Sequence, residues 1–156
     1  MGGLREELVR GRSPRLRRRR ALIVTAALAA IDAIVVGLRQ TGVLRRLPEP
    51  PGRIWDSNGI VTSPAAYVLG VPDAPLGALG FVTAMVLASR LGDSPRGRRP
   101  LVALALFGTA ATAAIGAALY LRDMLVDKKR LCPYCLVTAA ASFSLVALSA
   151  PELSRR

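Results

Sequence analysis

The sequence predicts an all-α membrane protein: a bundle of four transmembrane helices, with a short interfacial helix in the outer loop between helices 1 and 2. The chain of 156 residues is 52% apolar and its mean hydropathy is +0.39. Its net charge of +12 is gathered in clusters, with long runs almost free of charge between them. Four of those runs approach the ~20 residues that a helix needs to cross hydrocarbon with every backbone polar group satisfied internally. A soluble basic domain would spread its charges. An aromatic content of 4% is also too low for a surface that stacks on bases, so no nucleic-acid partner is expected.

Residues 1–20 are expected to form a basic cytoplasmic segment that ends in RSPRLRRRR. This block abuts the first span, ALIVTAALAAIDAIVVGL, residues 21–38. Lysine and arginine mark the cytoplasmic side. Placing the N-terminus inside puts most of the basic residues within the inner segments, near 1–20, 90–100 and 151–156. The arginine block can also meet anionic lipid heads. No small-residue cleavage site follows the first apolar run, where Arg39 and Gln40 stand instead, so this span is expected to remain as a helix. The second span covers about 74–91, the third about 100–121 and the fourth about 131–150. Together they form one membrane domain, residues 21–150, followed by a cytoplasmic tail, 151–156. Alanine, glycine, serine and threonine fill these helices, which suits close packing in lipid. Asp32, deep in the first span, is a functional candidate by its position alone. Arg39, two turns on, could pair with it, or Asp32 could deliver protons.

The longest outer segment is residues 39–73. Within it Ser63 can cap a short helix over residues 64–69, PAAYVL, with Pro64 in its first position and Gly70 ending it. Tyr67, Val68 and Leu69 would press that helix into the interface. Asp73 can then cap the second span, with Pro75 in its first turn.

The only cysteines are Cys132 and Cys135, in LCPYC, and the chain has no histidine. Structural zinc wants four Cys or His ligands, so no metal is expected. Two inert core thiols fit this spacing poorly. A redox dithiol fits it well: Pro133 opens a helix, whose N-terminus favours a thiolate at Cys132, with help expected from Lys128, Lys129 and Arg130. With the N-terminus inside, the pair faces the outer, oxidising side. There it can meet protein thiols from water and quinones from lipid.

LCPYC and the segment IVTSPAAYVLGVPDAPLGALGF, residues 60–81, resemble the vitamin K epoxide reductase family, including its bacterial disulfide-forming members. The resemblance covers most of residues 54–140. It implies a short lid over a four-helix bundle, a bound lipid quinone of the menaquinone, ubiquinone or vitamin K type, and Cys135 as the thiol nearest the ring. The quinone-binding positions it implies are Ser63, Tyr67, Asp73, Leu76, Phe81 and Ala139, although Phe81 suits packing as well, and Trp55 suits an interface anchor. Three departures stand out. Ser57 replaces the second cysteine of the family's outer-loop pair, and no cysteine lies upstream, so the relay to a soluble partner is missing. Asp73 stands where the family commonly has asparagine; a neutral Asp73 could still donate to a quinone oxygen, or simply cap its helix. Ala139 stands where some members have an aromatic residue.

The expected function is therefore quinone-coupled thiol–disulfide exchange. Electrons would pass from a thioredoxin-like exported protein or a small thiol, through Cys132 and Cys135, to the quinone. The alternative is a catalytically silent membrane subunit that binds a partner or quinone without turnover, and the missing loop cysteines are its best support.

Overall fold

The computed structural model describes residues 13–91 and 99–153. Residues 1–12, most of the 90–100 turn and residues 154–156, for which cytoplasmic segments are expected, lie outside the described residues.

Helix α1 spans Pro14–Gln40, starting well before the apolar run. Ser13 explains this early start. Its Oγ accepts from the Leu16 N–H at 3.2 Å, and Pro14 fills a first position that needs no donor. The arginines that follow are good helix formers. Along α1, Leu22, Ala26, Ala29, Ala33 and Val36 are buried, while Val24, Leu28, Ile31 and Ile34 are exposed. An apolar outer face of this kind suits lipid.

Beyond a loop come α2 (Ser57–Val61), a single 3₁₀ turn (Pro64–Ala66) and a two-stranded hairpin, β1 (Tyr67–Val68) with β2 (Val71–Pro72). The helix expected over 64–69 therefore stops after one turn. Leu69 and Gly70 both lie in the left-handed region, at φ 52° and 82°, and they close a tight turn of the kind that joins antiparallel strands. Ser63 makes no side-chain cap; its hydroxyl donates to the Ile60 carbonyl at 2.8 Å.

Three further long helices follow: α3 (Asp73–Ser89), α4 (Pro100–Arg122) and α5 (Pro133–Leu153). Each long helix packs on two neighbours, in the cyclic order α1, α3, α4, α5 and back to α1. Their shared core is built from alanines such as Ala26, Ala30, Ala78, Ala84 and Ala110, with Leu106, Leu145 and Phe81 between them. The axes can approach because side chains are small. A Cβ at Gly37 would stand 3.4 Å from the Pro75 ring, so α1 and α3 meet closely there. α4 continues as a π-helical segment, Asp123–Lys128, that turns Met124 into a second core with Val36, Leu47, Ile60 and Cys132. Among the described residues, three helices are long and apolar enough to cross a membrane: Pro14–Gln40, Pro100–Lys128 and Pro133–Leu153. Asp73–Ser89 is apolar but shorter. The chain is an all-α membrane protein.

Part of the arginine block does structural work. Arg19 is only 4% exposed; its Nε donates to the Ala88 carbonyl at 2.9 Å and its Nη2 to the Ser89 carbonyl. A guanidinium thus closes the C-terminus of α3, where carbonyls lack partners and the helix dipole favours a cation. Arg19→Met keeps the stem and removes the donors. It is expected to destabilise the protein by about 1.5–3 kcal/mol. Thermal unfolding in detergent checks this, and an unchanged midpoint would mean that water serves those carbonyls equally well.

Candidate functional site

Cys132 stands at the N-cap of α5, fully buried. Its carbonyl accepts from the Leu136 N–H at 3.0 Å, and its sulfur accepts from the Cys135 N–H at 3.1 Å. A thiol has taken the capping place usual for serine or aspartate, so helix formation and thiolate stabilisation use the same N–H. The thiol is held below its ordinary range. The hydrogen bond from the Cys135 side chain is the largest cause; burial opposes it, the Cys135 N–H adds to it, and the Ser57 hydroxyl adds a smaller pull from outside regular hydrogen-bond geometry. The expected help from the basic run is not what the structure builds. Lys128 pairs with Asp123 at 3.2 Å, the Arg130 guanidinium donates to the Arg53 carbonyl, and Lys129 is exposed. The two thiols are free, not joined in a disulfide.

The loop seats this pair. Leu131 N–H donates to the Ile54 carbonyl at 2.8 Å, and Asp56 N–H donates to the Leu131 carbonyl at 2.9 Å, so a short parallel bridge ties Trp55 to Leu131. Ser57, also fully buried, follows that bridge and faces the Cys132 sulfur. Asn58 laces the loop to α1: its Oδ1 accepts from the Arg39 Nε at 3.1 Å and from the Leu47 N–H at 2.8 Å. Arg39 is thus engaged with Asn58. Asp32 takes a different partner from the one expected: its Oδ2 accepts from the Thr138 hydroxyl at 2.6 Å, joining α1 to α5. The Asn58 N–H donates to Glu49 Oε1 at 3.1 Å. Burial pushes Glu49 up, but the amides and side chains of Asn58 and Ser57 outweigh it and hold the carboxyl below its ordinary range.

Behind Cys135 a cavity of about 600 Å³ runs into the bundle between all four long helices. That volume is typical of small-molecule sites. On α5 the row Cys135, Thr138, Ser142 faces it, at spacings that keep one side of a helix, and spans about 10 Å of helical rise. Val36, Leu76, Phe81 and Ala113 supply apolar wall. The polar wall gathers at the Cys end: Gln40 closes α1, Asp73 opens α3, Tyr120 ends α4, and Tyr134 and Cys135 begin α5.

Of the positions singled out from sequence, Cys135, Asp73, Leu76 and Phe81 line this cavity. Cys132 lies behind Cys135, turned toward the loop. Ser63, Tyr67 and Ala139 are not among the lining residues. Ser63 is committed to Ile60. Strand alternation turns Val68 to the cavity in place of Tyr67. Ala139 is buried beside the α5 row, and its methyl group ends short of the cavity. Asp73 is the first residue of α3, not its cap, and makes no capping bond of its own. The capping group is Gln40, which no sequence signal had marked. Gln40 Oε1 accepts from the Ala74 N–H at 3.1 Å; its Nε2 donates to Asp73 Oδ1 at 2.7 Å and to the Val61 carbonyl at 3.0 Å. One amide therefore fixes the start of α3, the end of α2 and the Asp73 carboxylate. Gln40→Leu should cost about 1–3 kcal/mol and speed hydrogen exchange at the Ala74 amide. Unchanged exchange there would assign the cap to another group.

A membrane-embedded helical bundle that sets one sulfur of a Cys-x-x-Cys pair on the wall of an apolar cavity has the parts that thiol redox chemistry requires. The sequence matches the profile of the vitamin K epoxide reductase family over residues 20–150, and the chain belongs to that family. A comparison with curated proteins returns no match. Family membership makes it a membrane thiol–disulfide oxidoreductase linked to quinones.

Proposed function

We propose that Cys132 and Cys135 carry two electrons from an external thiol to a lipid quinone seated in the cavity behind Cys135. The observation that carries this reading is the division of labour between the sulfurs: Cys135 lines the cavity, while Cys132 faces the loop beneath Ser57. In the oxidised enzyme the pair is a disulfide. A substrate thiolate attacks the Cys132 sulfur, the S–S bond breaks, and Cys135 leaves as thiolate. A second substrate thiol resolves the mixed disulfide and frees Cys132. The dithiol then gives its two electrons and two protons to the quinone: two S–H bonds are lost, one S–S bond forms, and both ring oxygens gain hydrogen. Because Cys132 is fully buried, the attack needs the 54–57 segment to lift from Leu131, which breaks the two bridge hydrogen bonds.

In this reading α3 is the fourth crossing. Its 17 residues give about 25 Å of rise, close to the hydrocarbon thickness. Leu79, Val82 and Val86 on its exposed face meet lipid. The arginine block sets the N-terminus in the cytoplasm and the Cys pair on the outer side. Asp73, Leu76 and Phe81 form the quinone wall, and the 3₁₀ turn with its hairpin is the lid. The thiol donor is a thioredoxin-like exported protein or a small thiol that reaches Cys132 directly.

The test is quinol formation by the purified protein supplied with a dithiol and a soluble quinone. Quinol formed above the uncatalysed rate is the expected result. Protein that binds quinone and forms none would return the chain to the class of silent subunits.

A further inference from the structure

A quinone presents hydrogen-bond acceptors, so its seat needs a donor that is not already spent. The polar wall of the cavity holds several hydroxyl and amide donors, and nearly all are committed. Thr109 donates to the Ala105 carbonyl at 2.8 Å and Thr112 to the Gly108 carbonyl at 2.9 Å. Thr138 donates to Asp32 at 2.6 Å and Ser142 to the Thr138 carbonyl at 2.8 Å. The Tyr134 hydroxyl donates to the Pro48 carbonyl at 3.0 Å, and the Gln40 amide serves Asp73 and Val61. Among the described residues one hydroxyl of this wall is not committed in this way. The Tyr120 oxygen is shielded from solvent and meets no partner at regular hydrogen-bond geometry, although the neighbouring Asp73 carboxyl competes for its proton. It lies beside the Asp73 carboxyl and the Cys135 thiol, where the electrons would leave the protein.

We infer that Tyr120 is the hydrogen-bond donor that seats one quinone oxygen next to Cys135. The inference rests on the quinone reading above and adds a residue to it. A buried polar group without a partner is costly, and a ligand acceptor removes that cost. As electrons arrive from the dithiol, negative charge builds on the ring oxygen. A hydroxyl already aimed at it stabilises that charge without reorganising. The protons that complete the quinol are those of the two thiols, so Tyr120 ends the cycle as it began. Asp73, held by Gln40, accepts only while ionised and cannot replace the missing donor in that state.

The test uses the full-length protein in detergent, as wild type and Tyr120→Phe, with two ligands of one shape: 2,3-dimethyl-1,4-naphthoquinone and 2,3-dimethylnaphthalene, which lacks the oxygens. The variant should bind the quinone about tenfold more weakly and the hydrocarbon equally well. Its quinone KM should rise. Equal quinone affinity in both proteins overturns the assignment to Tyr120 and leaves the quinone site standing. Equal weakening for both ligands overturns it too, since the ring would then only pack. A wild type that binds neither ligand overturns the quinone reading along with it.

Discussion

Cys135→Ala is expected to bring dithiol-dependent quinol formation down to the uncatalysed rate, a fall on the order of a thousandfold or more. Cys132→Ala and the double variant should fall to the same level, because residues that act as one unit are not additive. The substitution also makes a pH prediction that a merely structural cysteine would not. The Cys135 side chain is the largest cause that lowers the Cys132 thiol below its ordinary range. Alanine removes that hydrogen bond and leaves the Cys135 backbone N–H, 3.1 Å from the sulfur, in place. The folded-state pKa of Cys132 is therefore expected to rise. Alkylation of Cys132 by a small reagent, which follows the thiolate, should shift its midpoint to higher pH in Cys135→Ala. The sign matters for stability as well. In the wild type, ionisation of Cys132 stabilises the fold above the ordinary thiol pKa, and that contribution is lost as pH falls through the lowered one. Cys135→Ala should therefore lose some of its alkaline stability relative to wild type. An alkylation midpoint that stays put would separate the two sulfurs and remove the basis for a shared redox pair.

Much of this fold was legible because lipid imposes a length and a composition on any span. The runs beginning at Ala21, Pro100 and Leu131 are long and apolar enough that helix is the only local answer. The Cys-x-x-Cys was legible for a related reason: Pro133 announces a helix start, and a helix start is where a thiolate is cheapest. What escaped was tertiary. Gln40 carries no local signal, since a polar residue after an apolar run reads as a helix end. Only the return of the chain at Asp73 makes it a clamp. Tyr120, in AALYL, carries no local signal either, because nothing in its neighbours says that the cavity opens on that side of α4. The 64–69 segment reads as helix because PAAYVL has fair helical propensity, whereas in the structure Leu69 adopts a left-handed backbone that leucine seldom takes. There the hairpin overrides propensity, with Val71 and Pro72 returning to pair with Val68 and Tyr67. Asp32 was legible as a candidate, but its partner lay on α5, far along the chain. Arg19 reads as one more orientation charge until α3 brings its C-terminal carbonyls alongside.

The same gap between local and tertiary information makes Ser57→Cys the second decisive substitution. Ser57 was picked out only as a place where the family resemblance wants a cysteine. The structure buries it against the Cys132 sulfur, under the Trp55–Leu131 bridge. A thiol there is expected to reach Cys132 with little movement of the loop. In the Cys135→Ala background, Ser57→Cys leaves two thiols, and mild oxidation should take the free-thiol count from two to none in monomeric protein. The single variant Cys135→Ala should keep its one thiol under the same treatment. The cross-link ties distant parts of the chain, so it should raise thermal stability by up to roughly 4 kcal/mol, by restricting the unfolded ensemble. With Cys135 restored, the Ser57→Cys protein should yield both the 57–132 and the 132–135 disulfides on peptide mapping, because the two compete for one sulfur. Oxidation that yields only intermolecular dimers would mean that position 57 does not approach Cys132, and the loop would no longer be the route by which electrons enter. A clean intramolecular bond would support the proposed direct exchange: with serine at 57, the only sulfur that a thiol partner could meet from the loop side is Cys132 itself.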